Sequence, residues 1–187
     1  MPATPVNSTL LQVGAGWLWV AALGTDEPTD CSTPMATVDA AWTQIGYTAE
    51  GHVFTTEAKR EGLIVAEAVQ AVRMETTEVS EKIEFSAAEI TATNLQRAVG
   101  TGTVTVGATT TTFTPGNRAV AQPNELMIVW ESFYEDERLI LRRCVQTGPV
   151  GIARKKAPAY ATIPMAFMLL QPRSGDSWAH LFANARG

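Results

Sequence analysis

The chain has 187 residues, 45% of them apolar, and a formal net charge of −5 at pH 7. That length suits one domain with a proper core, and the apolar share excludes wholesale disorder. The acidic excess argues against a general nucleic-acid binder, which carries surplus basic charge.

No apolar run approaches a membrane span, since "LLQVGAGWLWVAALG" is short and interrupted by glycine. The opening "MPATPVNSTL" lacks the basic start of a secretory signal. Cys31 and Cys144 are too few for a disulfide scaffold, so both are expected as reduced thiols.

The first predicted strand is "GWLWVAAL", residues 16 to 23, bounded by Gly16 and Gly24. Residues 24 to 41 hold two prolines and several turn formers, which predicts a long loop. A second strand is expected from about Glu50 to Glu57, broken by "KREG". The β-branched run "LIVAEAVQAVRM" is long enough for one extended strand, and a helix also fits it. In "ETTEVSEKIEF", Val79, Ile83 and Phe85 fall on one face, while Glu78, Ser80, Lys82 and Glu84 fall on the other. Glu81 breaks the apolar side. Glu75, Glu78, Glu81 and Glu84 also repeat every three residues, as on a helix surface, but the threonines and Val79, Ile83 and Phe85 favour a strand.

One strongly helical segment follows, "SAAEITATNLQRAVG", expected to be helical over about 86 to 99. Ser86 suits an N-cap, Glu89 completes a capping box, and Phe85 with Ile90 has the spacing of a hydrophobic staple. Gly100 stands where a left-handed C-terminal cap is wanted. "TGTVTVGATTTTFT" reads as a hairpin turning at Gly107 and Ala108. A second hairpin pairs "ELMIVWESFY" with "RLILRRCVQT" across the turn "EDE". "YATIPMAFMLLQP" is the last predicted strand of this region, with Pro164 at an edge or bulge. Residues 172 to 187 form a C-terminal arm, either ordered or frayed. The fold class is therefore mainly β, a sandwich or partial barrel flanked by one α-helix, in a single domain spanning 1 to 187.

No convergent set of reactive residues stands out, and no metal or cofactor is expected. His52 and His180 lie far apart, outside any metal-ligand spacing. Cys31 sits in a proline-bearing loop without the local signature of a nucleophile. The glycines of "GTGTVTVG" follow the helix instead of opening one, unlike a dinucleotide fingerprint. "ARKK" at 153 to 156, with Arg138, Arg142 and Arg143, lacks interleaved aromatics and reads as a solvated face or a contact patch.

The order of features resembles the major tail tube proteins of long-tailed bacteriophages and phage-derived particles. The resembling stretches are "GWLWVAALGT", "WTQIGYTAEGHVFTTE", "ETTEVSEKIEF" and "SAAEITATNLQRAVG", within about residues 15 to 170. In that family a "W..IG" turn recurs, here Trp42 and Gly46. Its helix pattern matches Ala88, Glu89, Thr91, Asn94, Leu95 and Ala98. Some relatives carry an extra C-terminal immunoglobulin-like domain, for which this chain ends too early.

The resemblance implies a non-enzymatic virion protein, assembled in the host cytoplasm as six-subunit rings. Rings would stack into a tail tube that conducts DNA during ejection without binding it specifically. The implied partners are further copies, a tape-measure protein, a tail terminator and tail-tip proteins, with no membrane. Glu78, Ser80, Lys82 and Glu84 would face the lumen, because fixed cations there would bind phosphate. Contacts between subunits or rings are expected at Asp26, Glu27 and Asp30 in the long loop and at Lys59 and Arg60. Arg154, Lys155 and Lys156, and Trp178 and Phe182 of the C-terminal arm, complete that set. Deleting residues 27 to 36 is expected to leave a folded subunit that stacks poorly. The competing reading is a monomeric β-sandwich binding module, for instance for carbohydrate, using Trp17, Trp19, Trp42, Trp130 and Trp178.

Overall fold

A computed structural model describes residues 16–64, 70–117, 121–134, 136–152, 154 and 161–183. The chain runs β1 (Gly16–Ala22), α1 (Met35–Val38), β2 (Thr43–Gln44), β3 (Thr48–Leu63), β4 (Arg73–Ala87) and α2 (Ala92–Val99). It continues with β5 (Thr103–Val106), β6 (Thr111–Thr114), β7 (Glu125–Ser132), β8 (Glu137–Gln146), β9 (Ile163–Leu169) and β10 (Trp178–Phe182). The fold is mainly β, as the alternating patterns predict. One eight-stranded sheet has the order β2-β1-β7-β8-β9-β4-β3, with β10 added on β8, and β5 pairs β6 separately.

Strand β8 joins two regions of this sheet. Its first half pairs β10, from Glu137↔Phe182 to Leu141↔Trp178, and its last residues pair β9 at Cys144↔Leu169 to Gln146↔Phe167. The ladder between β8 and β9 stops short of Pro164, so proline costs no hydrogen bond on that side. Leu18, Ile83, Phe85, Ile128, Leu141, Ile163 and Phe167 form the larger core on one face. Leu95 and Ala98 of α2 and Ile45 close that face. Ala21, Met127, Val129 and Ile140 form a second core on the opposite face of β1, β7 and β8, closed by Met35 and Trp42.

Both predicted short hairpins are present. Gly107 donates to the Thr110 carbonyl at 2.8 Å in one turn, and β7 pairs β8 across the other. Both cysteines are free and buried.

Four sequence expectations are corrected. The "KREG" stretch does not break its strand: β3 runs through it, with a register shift between Lys59 and Arg60. A bulge absorbs the irregularity, and charged residues fit a hairpin that water reaches on both faces. Second, "LIVAEAVQAVRM" is not one strand. Its two ends close β3 and open β4, joined by Val72 donating to the Leu63 carbonyl at 2.9 Å, and residues 65–69 lie outside those described.

Third, α2 starts at Ala92, not near Ser86. Ser86 and Ala87 are held in the β4 ladder opposite Pro164 and Ile163, and this pairing overrides the local capping box. Thr91 is the actual N-cap, accepting from the Asn94 amide at 3.1 Å, while Glu89 accepts from the Tyr47 amide at 3.2 Å. Gly100 does adopt the left-handed C-cap, at φ 76°.

Fourth, residues 24–41 are not a detachable loop. They contain α1 and bury Cys31 and Met35, so removing 27–36 would open the second core.

Candidate functional site

The hairpin of β3 and β4 outruns the sheet that supports it. Only Lys82–Ala87 of β4 pair β9, leaving Arg73–Glu81 and the facing part of β3 as a two-stranded projection. Strand β3 has β4 as its partner and forms one margin of the sheet. At the supported end, Ile83 opposes Phe167 and Phe54, and all three lie in or against the core. Alternation sends the next residues to the other face, so Lys82 and Glu84 are exposed beside Met168 and Ala166. Across β9, β4 and β3 the core thus occupies one face, whereas β1, β7 and β8 carry core on both.

The predicted lumen residues Glu78, Ser80, Lys82 and Glu84 lie together on that second face. The register adds their cross-strand neighbours Lys59, Glu57, Thr55 and Val53. Lys82 Nζ lies 3.1 Å from Glu84, and Lys59 lies 3.7 Å from Glu61, all four side chains largely solvated. Such pairs contribute little stability. The face therefore carries Glu57, Glu61, Glu78 and Glu84 against Lys59 and Lys82: acidic and mixed in sign. Lys59 is the addition that the strand pattern of β4 alone did not reveal.

Glu81, which broke the apolar alternation, has a structural explanation. Its carboxylate accepts from Trp178 Nε1 at 2.8 Å and from Ser177 Oγ at 2.5 Å. A carboxylate on the core side thus ties β4 to the start of β10. Trp178 also packs edge-on against Phe54, with centroids 5.4 Å apart.

Other predicted contact residues have partners within the chain. Glu27 accepts twice from Arg142 Nε, at 2.8 and 3.0 Å. Asp30 accepts from the Thr33 and Ser32 amides, at 2.7 and 2.8 Å. Those amides, with the Thr33 hydroxyl, hold the Asp30 carboxyl below its usual range. Asp26 offers its carbonyl to Trp42 Nε1 at 2.9 Å. Phe182 is exposed, with its ring 4.2 Å from that of His180. Arg154 is exposed, and Lys155 and Lys156 lie outside the described residues.

Arg138 was read only as one member of a basic cluster, yet it is 0% exposed. Its guanidinium donates to the carbonyls of Asp30 at 2.7 Å and Thr33 at 2.5 Å, and pairs with Glu131. Glu131 also accepts from Trp19 Nε1 at 3.0 Å. This network fastens residues 24–41 to the hairpin of β7 and β8. Beside it, His180 Nε2 lies 2.5 Å from Glu137 Oε1, joining β10 to β8. The signal for the arginine network was an arginine directly before the apolar run Leu139–Leu141, apart from Arg142 and Arg143.

The tryptophans do not form one binding platform. Trp42 and Trp130 are buried, and Trp19 and Trp178 bond carboxylates at the core margin. Trp17 alone joins exposed aromatics, at 5.6 Å from Tyr47 and 4.8 Å from Phe133. The His52 ring lies tilted against Trp130, with centroids 4.9 Å apart, and burial depresses its pKa, helped by the charge of His180. Among the described residues no group of three or more acidic, histidine or cysteine side chains is arranged to hold a metal.

No curated protein matches this chain. The family model described as phage tail tube protein matches residues 3–184, nearly the whole length and every element above. The chain belongs to the phage tail tube proteins and is a structural component of the virion tail, assembled in the host cell with other tail proteins.

Proposed function

We propose that six copies form a ring, that rings stack into the tail tube, and that DNA slides along the face bearing Glu78, Ser80, Lys82 and Glu84. The observation that carries this reading is the half-finished sheet. Strand β3 presents 16 residues of sheet margin, and among the described residues the face beside it has no core against it. A margin of that length invites pairing with another chain, and closing sheets across subunits removes the hazard. The helix α2 then lies on the side away from the channel, because it covers the opposite face.

The mixed charge of the wall suits passage of DNA. Each lysine has a carboxylate within 4 Å, so a passing phosphate competes with a partner already in place. Four carboxylates against two ammonium groups leave the wall repulsive, and the mobile cations around the DNA stay with it. Asp26, Arg60, Arg154, Lys155, Lys156 and Phe182 serve contacts between subunits or rings, whereas Lys59, opposite Glu78, belongs to the wall. Glu27, Asp30 and Trp178 support these contacts from within the subunit. The partners at the tube's interior and ends are the tape-measure protein, the tail terminator and the tail-tip proteins.

Electron microscopy of the purified protein tests assembly: rings or tubes of uniform width are expected, and a strictly monomeric protein at high concentration refutes it. The double substitution Glu78→Lys with Glu84→Lys tests the wall. Both side chains face solvent, so folding and tail assembly persist. DNA delivery slows or stalls, most severely at low salt. Unchanged delivery at low salt would remove this face from the channel.

A further inference from the structure

A cleft of about 390 Å³ between α2 and strands β1, β2 and β7 has no part in the proposed wall. Apolar Val20, Ala21 and Leu126 line it, together with polar Thr43, Thr93 and Arg97. Arg97 stands in the last turn of α2, and its guanidinium is held from two sides. Nη1 donates to Asn94 Oδ1 at 3.1 Å, and Nη2 donates to the Thr43 hydroxyl. Both holders are themselves fixed. Asn94, 2% exposed, donates to the carbonyls of Ile45 and Glu89 at 2.9 and 3.0 Å. Thr43 Oγ1 donates to the Val20 carbonyl at 3.1 Å.

No carboxylate completes this arrangement. Among the described residues none lies within ion-pair distance of Arg97, in a chain whose net charge is −5. Glu125 also lines the cleft, but bonds from Arg143 at 2.7 and 2.9 Å occupy its carboxylate. A guanidinium has five N–H groups, and Asn94 and Thr43 take one each. Burial lowers the Arg97 pKa, with no neighbouring acid to oppose it. A cation drawn partly out of water, fixed in orientation and lacking a counter-charge is costly to keep and ready for an anion.

We infer that this cleft is a carboxylate site, in which Arg97 takes the oxyanion and an aliphatic stem lies on Val20, Ala21 and Leu126. The planar fork of an arginine matches a carboxylate. Phosphate carries more charge and no apolar stem, and the cleft supplies no second cation for it. One charge on a short aliphatic stem describes a glutamate side chain or a small free acid, and the two share this chemistry.

Titration of the isolated full chain with butyrate, followed by heteronuclear NMR, tests the site without relying on ring formation. Saturable movement of the Arg97 Nε–H and of the Ala21 and Thr43 amides is expected. Acetate should bind more weakly for want of a stem, and phosphate more weakly still at equal ionic strength. Arg97→Gln is expected to weaken butyrate about tenfold or more, while Arg97→Lys keeps part of the affinity. If Arg97→Gln fails to fold, Thr93→Glu decides. That variant keeps Arg97 and sets a carboxylate four residues before it at an exposed position, the spacing of a helical ion pair. It should fold and lose butyrate binding, because the site is already filled. Movement that does not saturate, phosphate binding as tightly as butyrate, or unchanged butyrate binding in Thr93→Glu would each overturn the inference and leave Arg97 as a strut between α2 and β2. Assembly of Thr93→Glu then identifies the source. Normal tubes assign a free acid, and blocked assembly assigns an acidic side chain of a protein partner, whose place the new carboxylate has taken.

Discussion

Two regions of this subunit are built on opposite rules, although one strand runs through both. The body around β7 and β8 carries apolar side chains on both faces, and even its charged groups are enclosed: Arg138 is buried against Glu131 and two carbonyls. The projecting hairpin carries Glu, Lys, Arg and Thr on both faces, with exposed Val79, Met74 and Ile64 among them. Strand β4 passes from one rule to the other within four residues: Val79 is 57% exposed and Ile83, on the same face, is 0% exposed. Strand pattern alone therefore does not mark where a core ends. What decides is whether a neighbouring strand and a covering helix are there to exclude water.

The sharpest way to break this contrast is at Arg138. Arg138→Ala strands the Glu131 carboxylate, itself buried, and frees the carbonyls of Asp30 and Thr33. A loss of about 3–5 kcal/mol is expected in chemical denaturation. A loss below 1 kcal/mol would mean the enclosed network is incidental.

A matched pair on β4 comes next. Ile83→Ala opens a void against Phe167 and Phe54 and is expected to cost about 2–5 kcal/mol. Val79→Ala should cost no more than about 0.5 kcal/mol in the isolated subunit. Equal costs, measured by thermal unfolding, would erase the boundary drawn here.

The helix that closes the core is sensitive at its ends. Thr91→Ala removes the acceptor for the Asn94 amide and is expected to cost about 1 kcal/mol. Ser86→Ala, at the position the local motif favoured, should cost less. If the order is reversed, the helix begins earlier in solution.

The smallest expected effect is with pH. Burial lowers the pKa of His52 below its ordinary 6.5, so the unfolded chain takes up a proton there more readily than the folded one. Stability from the neutral ring is complete above about pH 6.5 and declines as pH falls through that value toward the lower folded pKa. The melting temperature of the wild type should drop over that window, and His52→Gln should flatten the drop. Glu125 acts further into acid, because the bond from Arg143 holds its carboxyl low. A melting temperature that rises over the same window would reverse the assignment of His52.

Much of this protein is determined locally. Alternation in "ETTEVSEKIEF" placed Ile83 and Phe85 inward and Lys82 and Glu84 outward, because side chains in a strand switch faces at every residue. The hairpin turns at Gly107 and around "EDE", the left-handed cap at Gly100 and the ordered motifs of the tail tube family were legible for the same kind of reason. Each depends on residues within a few positions of one another. What the tertiary structure decided depends on partners far along the chain. Ser86 offered a sound N-cap, but its register opposite Pro164, with Ala87 opposite Ile163, keeps it in a strand, and a strand residue cannot also begin a helix. "KREG" looked like a break until Glu78 and Glu75 stood across from Lys59 and Glu61. Residues 24–41 looked like a polar loop because the guanidinium that orders them comes from Arg138, more than 100 positions away. Burial of a charge needs its partners assembled around it, and no short window of sequence contains them all.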